Sequence, residues 1–185
     1  MMTVAGVCLA GLLVAMPLMA SAEGAPLLAD TTADAAASRP LGSEAALGVS
    51  ATRTTYVRFD LSKLPAGASV HRATLSVFLG RMLAAGSVSA HRVTAPWDED
   101  TLVAAREPSV EAALPETLAF SDESPFLEYV SMDVTAAVVA WLGGAPNHGI
   151  ALRGSGAVDV EFVSKENRAA GRPMTLEIVL ADPQN

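Results

Sequence analysis

Asp98, Glu99 and Asp100 stand side by side in "VTAPWDEDTL" and form a dense run of groups that could move protons. Glycoside hydrolysis needs two carboxyls about 5 to 9.5 Å apart across a cleft. Adjacent acids in an extended loop point in different directions, so the run predicts a solvated loop face. The three histidines, His71, His91 and His148, show neither an i, i+4 spacing nor an H-E-x-x-H pattern, which leaves a zinc centre without support. No serine sits in a G-x-S-x-G elbow. "RGSGA" at 153–157 precedes a strand pattern instead of a phosphate-binding helix and reads as a turn. The single cysteine, Cys8, lies in the first apolar run, so the remainder has no disulfide, thiol nucleophile or cysteine metal ligand. These readings predict that the chain is not an enzyme. One cofactor stays open: a structural calcium ion with Asp30 and Asp34 as oxygen ligands, although no EF-hand spacing is present.

The elements that would carry such groups follow from period-two patterning. In "TTYVRFDLSKLPAGASVHRATLSVFL", Val57, Phe59 and Leu61 share one parity and Tyr56, Arg58 and Asp60 the other, as a strand with one buried face requires. Ala73, Leu75, Val77 and Leu79 repeat the pattern after the Pro65-Ala66-Gly67 turn. The connection is too long for a tight hairpin, which leaves room for the two strands to lie in different sheets. One edge strand is predicted within "LLADTTADAAASRP" before Pro40 ends it, and further strands in "EAALGVS", "SVSAHRV", "FLEYVSMDV", "GIALRG", "VDVEFVS" and "MTLEIVL". In "DVTAAVVAWLGG" the apolar residues Val134, Val138, Trp141 and Leu142 fall at helical spacing, with Asp133 or Thr135 to cap and Gly143 to stop. The sum is an all-β chain: an antiparallel two-sheet β-sandwich, jelly-roll-like, with one short helix near 135–142.

Residues 1–22 form an apolar run ending in Ala20-Ser21-Ala22, the small-x-small signature of a signal peptide, and residues 23–185 form a single domain. A membrane-spanning helix needs about 18 apolar residues, but Pro17 and the small residues after it favour cleavage. The leader begins without Lys or Arg, so the true start is expected upstream. Secretion to the extracellular space, without membrane insertion after cleavage, is the expected fate. The net charge of −8 argues against nucleic acid and anionic membrane surfaces as partners. Between Asp98 and Asp133 ten acids face one base, Arg106, which predicts a solvated loop region.

The order "YVRFDLSKLPAGASVHRATLSVFL", "VTAPWDEDTL", "DVTAAVVAWLGGAPNHGIAL" and "FVSKENRAAGRPMTLEIVL" resembles the secreted DNRLRE-type domain family, also classified as a family of carbohydrate-binding modules. The resemblance runs from Ala29 to Leu180. It implies a jelly-roll-like sandwich without catalysis, in a family where some relatives bind polysaccharides such as alginate. The second tryptophan that often follows the family's W-x-E element is missing after Trp97-Asp98-Glu99.

Sugar rings need flat aromatic faces, hydroxyls need hydrogen-bonding side chains, and acidic sugars add a need for arginine forks. Trp97 and Trp141 are expected in the core, Trp97 pinning a loop to the sandwich. Tyr56 and Arg58 lie on the polar parity of their strand, and His91 or Arg92 could stand beside them if that strand is a neighbour. These four residues are the predicted carbohydrate-binding patch. The leading expectation is a secreted, non-catalytic module that binds a neutral or acidic polysaccharide. Its rival is a structural or adhesive module of the cell surface or extracellular matrix that contacts other proteins.

Overall fold

The computed structural model describes residues 22–124 and 127–181; most of the predicted leader lies outside the described residues. The strands are β1 (Ala22–Ala25), β2 (Leu27–Asp34), β3 (Ala46–Ser50), β4 (Arg53–Phe59), β5 (Val70–Ala84), β6 (Gly86–Val93), β7 (Val110–Phe120), β8 (Glu128–Asp133), β9 (Ile150–Ser155), β10 (Asp159–Val163) and β11 (Thr175–Leu180). One helix, α1 (Thr135–Leu142), follows β8, and a 3-10 turn covers Ala104–Arg106. A six-stranded sheet has the order β1-β11-β5-β10-β3 with β8 also paired to β5, and a five-stranded sheet has the order β2-β4-β9-β6-β7. Every pairing is antiparallel. The two strands of the "TTYVRF…ATLSVFL" segment, β4 and β5, lie in different sheets.

Alternation explains the core. Val57 and Phe59 of β4 and Ile150 and Leu152 of β9 face Leu75, Val77 and Leu79 of β5 and Val160 and Phe162 of β10, all of them buried in one apolar cluster. The helix closes one end of it with Ala137, Val138 and Trp141. Val134 occupies its N-cap position and has no capping oxygen, but the Asp133 carboxylate one residue earlier accepts the Thr135 N–H at 2.8 Å. That hydrogen bond holds the Asp133 carboxyl below the usual carboxylate range. At the other end Gly143 donates to the Val139 carbonyl at 2.9 Å, the stop predicted for it.

Two features departed from expectation. The acid-rich stretch predicted as a solvated loop contains β7, an edge strand whose side chains are largely exposed and which carries Pro115 at its middle. A proline is tolerated there because one edge of the strand has no ladder to break. The strand predicted through Leu79 is also longer than its alternation showed: β5 runs on without a break through Gly80 to Ala84, and Gly86 begins β6. At the opposite side of the sandwich the free edge of β3 is closed by side chains of the other sheet. Gly48 donates its N–H to Thr32 Oγ1 at 2.9 Å, and Thr55 Oγ1 donates to the Gly48 carbonyl at 2.9 Å. These hydroxyls satisfy backbone groups that an uncovered edge would leave open.

Candidate functional site

The outer face of the five-stranded sheet was the predicted patch. Strand parity does send Tyr56 and Arg58 to that face, opposite Val57 and Phe59. The face is not open, however, because the segment 94–109 crosses it. Tyr56 is 0% exposed and packs with Ala29, Ala33, Val93, Trp97, Leu102 and Ala151 in a second apolar cluster under this segment. Its ring centroid lies 5.7 Å from that of Trp97, and its hydroxyl donates to Glu107 at 3.0 Å. Burial first, and then the charge of Glu107, pushes the Tyr56 phenol above its ordinary range. Trp97 donates its indole N–H to the His148 carbonyl at 2.6 Å, so it pins the loop as its motif predicted. Tyr56 is therefore corrected from ligand contact to loop anchor. Tyr56→Phe should cost about 1 kcal/mol, the usual net value of one hydrogen bond. Limited proteolysis should then cut within 94–109 faster than in the wild type.

His91 and Arg92 also fall outside a common patch with Tyr56. Strand β9 separates β4 from β6, with Ala151 paired to both Tyr56 and His91. The His91 ring is held at both nitrogens, by Ser89 Oγ at 3.0 Å and the Glu111 carbonyl at 2.9 Å. Arg92 has the other parity, pairs with core residue Ile150, and forms a two-pronged contact with Glu111. Arg58 alone of the four keeps an unpaired polar head; its guanidinium lies 5.4 Å from the Trp97 ring centroid.

The calcium expectation is corrected as well. Asp30 is fully buried, and its carboxylate accepts from Ser164 Oγ at 3.1 Å and the Lys165 N–H at 2.8 Å. The Lys165 ammonium stands 3.7 Å from it and also contacts Glu99 and Glu166, so a lysine supplies the positive charge that a calcium ion would bring. Asp34 faces elsewhere and accepts the Ala36 N–H at 2.8 Å to close a turn. Among the described residues no group of three or more His, Cys, Asp or Glu side chains could hold a metal ion.

The outer face of the six-stranded sheet is different. Phe78 points away from the core, between core residues Val77 and Leu79, and its cross-strand partner is Tyr129. The two rings meet edge to face at 5.2 Å, and Arg172 lies over the Phe78 ring at 4.4 Å. Tyr129 is 44% exposed. The next row along the sheet carries Thr175, Ser76 and Ser131, with the two serine hydroxyls 2.8 Å apart. An aromatic ring open to solvent, a row of hydroxyls and an arginine held flat by a ring are the parts a sugar-binding surface uses. The signal for this face was present in the sequence. "SVFLG" puts a phenylalanine on the polar parity of one strand and "FLEYVSMDV" puts a tyrosine on the polar parity of another, but only pairing shows them opposite each other.

A two-sheet sandwich with an exposed aromatic and hydroxyl-bearing face has the parts of a sugar-binding module. Residues 25–179 match the profile of carbohydrate-binding module family 96, and the chain belongs to that family. It binds carbohydrate and is not an enzyme. No curated protein matches the chain significantly. Among the described residues no helix is long and apolar enough to cross a membrane.

Proposed function

We propose that the chain is a secreted polysaccharide-binding module of the DNRLRE type that holds its glycan on the outer face of the six-stranded sheet. The observation that carries this reading is the exposed Tyr129 ring, braced by Phe78 and Arg172 and flanked by Ser76, Ser131 and Thr175. A sugar ring stacks on Tyr129, its hydroxyls meet the serine and threonine row, and Arg172 reads the carboxylate of an acidic unit. The apolar run before the Ala20-Ser21-Ala22 signature supports export.

Affinity electrophoresis through gels cast with neutral or acidic polysaccharides tests the reading. Removal of the ring that the sugar stacks on should weaken retention of Tyr129→Ala by roughly 10-fold, equivalent to about 1.4 kcal/mol, while the fold persists, since the side chain is 44% exposed. Wild-type protein that migrates unretarded in every gel at low salt would overturn the proposal and favour the structural module, whose expected partners are cell-surface proteins.

A further inference from the structure

We propose that Arg58, held on Trp97 at the outer face of the five-stranded sheet, is a second glycan-binding site that takes the carboxylate of an acidic sugar unit. The module then binds through two opposite faces and bridges polymer chains. This rests on the reading that the six-stranded face binds polysaccharide.

The placement of positive charge carries the argument. Arg39, Arg53, Arg81, Arg92, Arg153 and Lys165 each have a carboxylate oxygen within 4 Å. Of the six bases without such a contact among the described residues, Lys63, Arg72, Arg106 and Arg168 lie over no aromatic ring. Arg58 and Arg172 instead lie over aromatic rings, at 5.4 Å from Trp97 and 4.4 Å from Phe78, and neither has an ion-pair partner among the described residues. The Arg58 Nε–H is buried and has no acceptor. With the Nε–H enclosed, the terminal nitrogens, which are not among the buried unpaired atoms, are the part of the guanidinium that a carboxylate can meet.

Its surroundings keep it both rigid and unpaired. Trp97 is fixed from below by Tyr56 and at its indole N–H by the His148 carbonyl. The two acids that follow Trp97 are committed elsewhere: Asp98 accepts the Asp100 N–H at 3.0 Å, and Glu99 contacts Lys165. A guanidinium whose plane is already set loses little freedom on meeting a carboxylate, for which its forked geometry is suited. The two arginines cannot serve one ligand unit. Arg58 lies on the outer face of the five-stranded sheet and Arg172 rests on Phe78 at the outer face of the six-stranded sheet, and about 10 Å of packed core separates two stacked sheets.

Isothermal titration with a short oligouronate, together with light scattering on a long polyuronate, tests the inference. The expected result is two oligomers bound per wild-type chain, one per chain for Arg58→Gln, and for Tyr129→Ala one at wild-type affinity with the other roughly 10-fold weaker. Polyuronate networks should scatter strongly with wild-type protein and fall to the polymer baseline with either variant. A stoichiometry of one that Tyr129→Ala abolishes and Arg58→Gln leaves unchanged would overturn the second site while the six-stranded face stands. A stoichiometry of one that only Arg58→Gln abolishes would remove the six-stranded face and the bridging role together. Should Arg58→Gln loosen the 94–109 segment, Arg58→Lys keeps the charge without the planar fork. It is expected to bind at least several-fold more weakly at this site with an unchanged melting temperature; undiminished affinity in Arg58→Lys refutes fork recognition.

Discussion

Lys165→Met is expected to lower the unfolding free energy by about 3 kcal/mol, at the lower end of the range for stripping one partner from a buried ion pair. The lower end applies because the Lys165 side chain keeps 24% of its exposure while Asp30 keeps none. The lysine holds three parts of the molecule at one point: β2 through Asp30, the 94–109 segment through Glu99, and its own turn through Glu166. Burial by itself would depress the ammonium, but hydrogen bonds to Glu166 and Glu99 and the charge of Asp30 outweigh it and hold Lys165 above its ordinary value. A raised lysine contributes stability that is fully present below its unfolded pKa and disappears as pH rises through the folded one. Asp30 behaves in the same sense for a different reason: desolvation raises its carboxyl, and the Lys165 N–H and ammonium offset that only in part. A raised acid favours the fold below its unfolded value and costs stability as it ionises. Without the ammonium the cost of ionised Asp30 grows, so the deficit of Lys165→Met should be larger at pH 8 than at pH 5. Urea unfolding at the two pH values measures this. A deficit independent of pH would mean that Lys165 acts through packing of its aliphatic stem alone.

Gly149→Ala is expected to cost at least as much. Gly149 has φ +88°, and a methyl group there would collide with the Val57 carbonyl oxygen. The residue cannot shift away, because its N–H is held by Asn147 Oδ1 at 3.1 Å and its carbonyl accepts the Val93 N–H at 2.9 Å. Left-handed strain of about 1–3 kcal/mol adds to about 1–3 kcal/mol of overpacking, enough to threaten folding of a domain of ordinary stability. Gly144→Ala is the control: its φ is +104°, but nothing lies within 4 Å of the added methyl group, so only the strain remains. Thermal unfolding of the two variants should differ by several degrees, with Gly149→Ala the lower. Equal melting temperatures would show that β4 yields to the methyl group.

Much of the frame was legible from alternation alone. Val57 and Phe59, Val160 and Phe162, and Leu176 and Ile178 are buried because period-two apolar residues can satisfy a strand's hydrogen bonds and an apolar interior together. The helix was legible from its change of period and its glycine stop. The edge strand β7 was not: its acids and Pro115 carry no burial signal, since an edge strand is specified by the neighbour it pairs with and by nothing in its own pattern. The binding patch failed at Tyr56 for a related reason. Parity says to which side of the sheet a residue points, and says nothing of what lies on that side.

By itself, then, the order of residues determined two packed sheets, a short helix, the lack of any cysteine after Cys8, and membership of a carbohydrate-binding class. Only the tertiary structure decided how much of each outer face meets solvent. That choice depends on contacts between residues far apart in the chain: Trp97 with His148, Glu99 with Lys165, and Tyr56 with Glu107 fold the 94–109 segment over one sheet. On the other sheet Tyr129 is left open to solvent. Local periodicity cannot encode such a choice, because the free energy that makes it arises from groups that are neighbours only after the chain has folded.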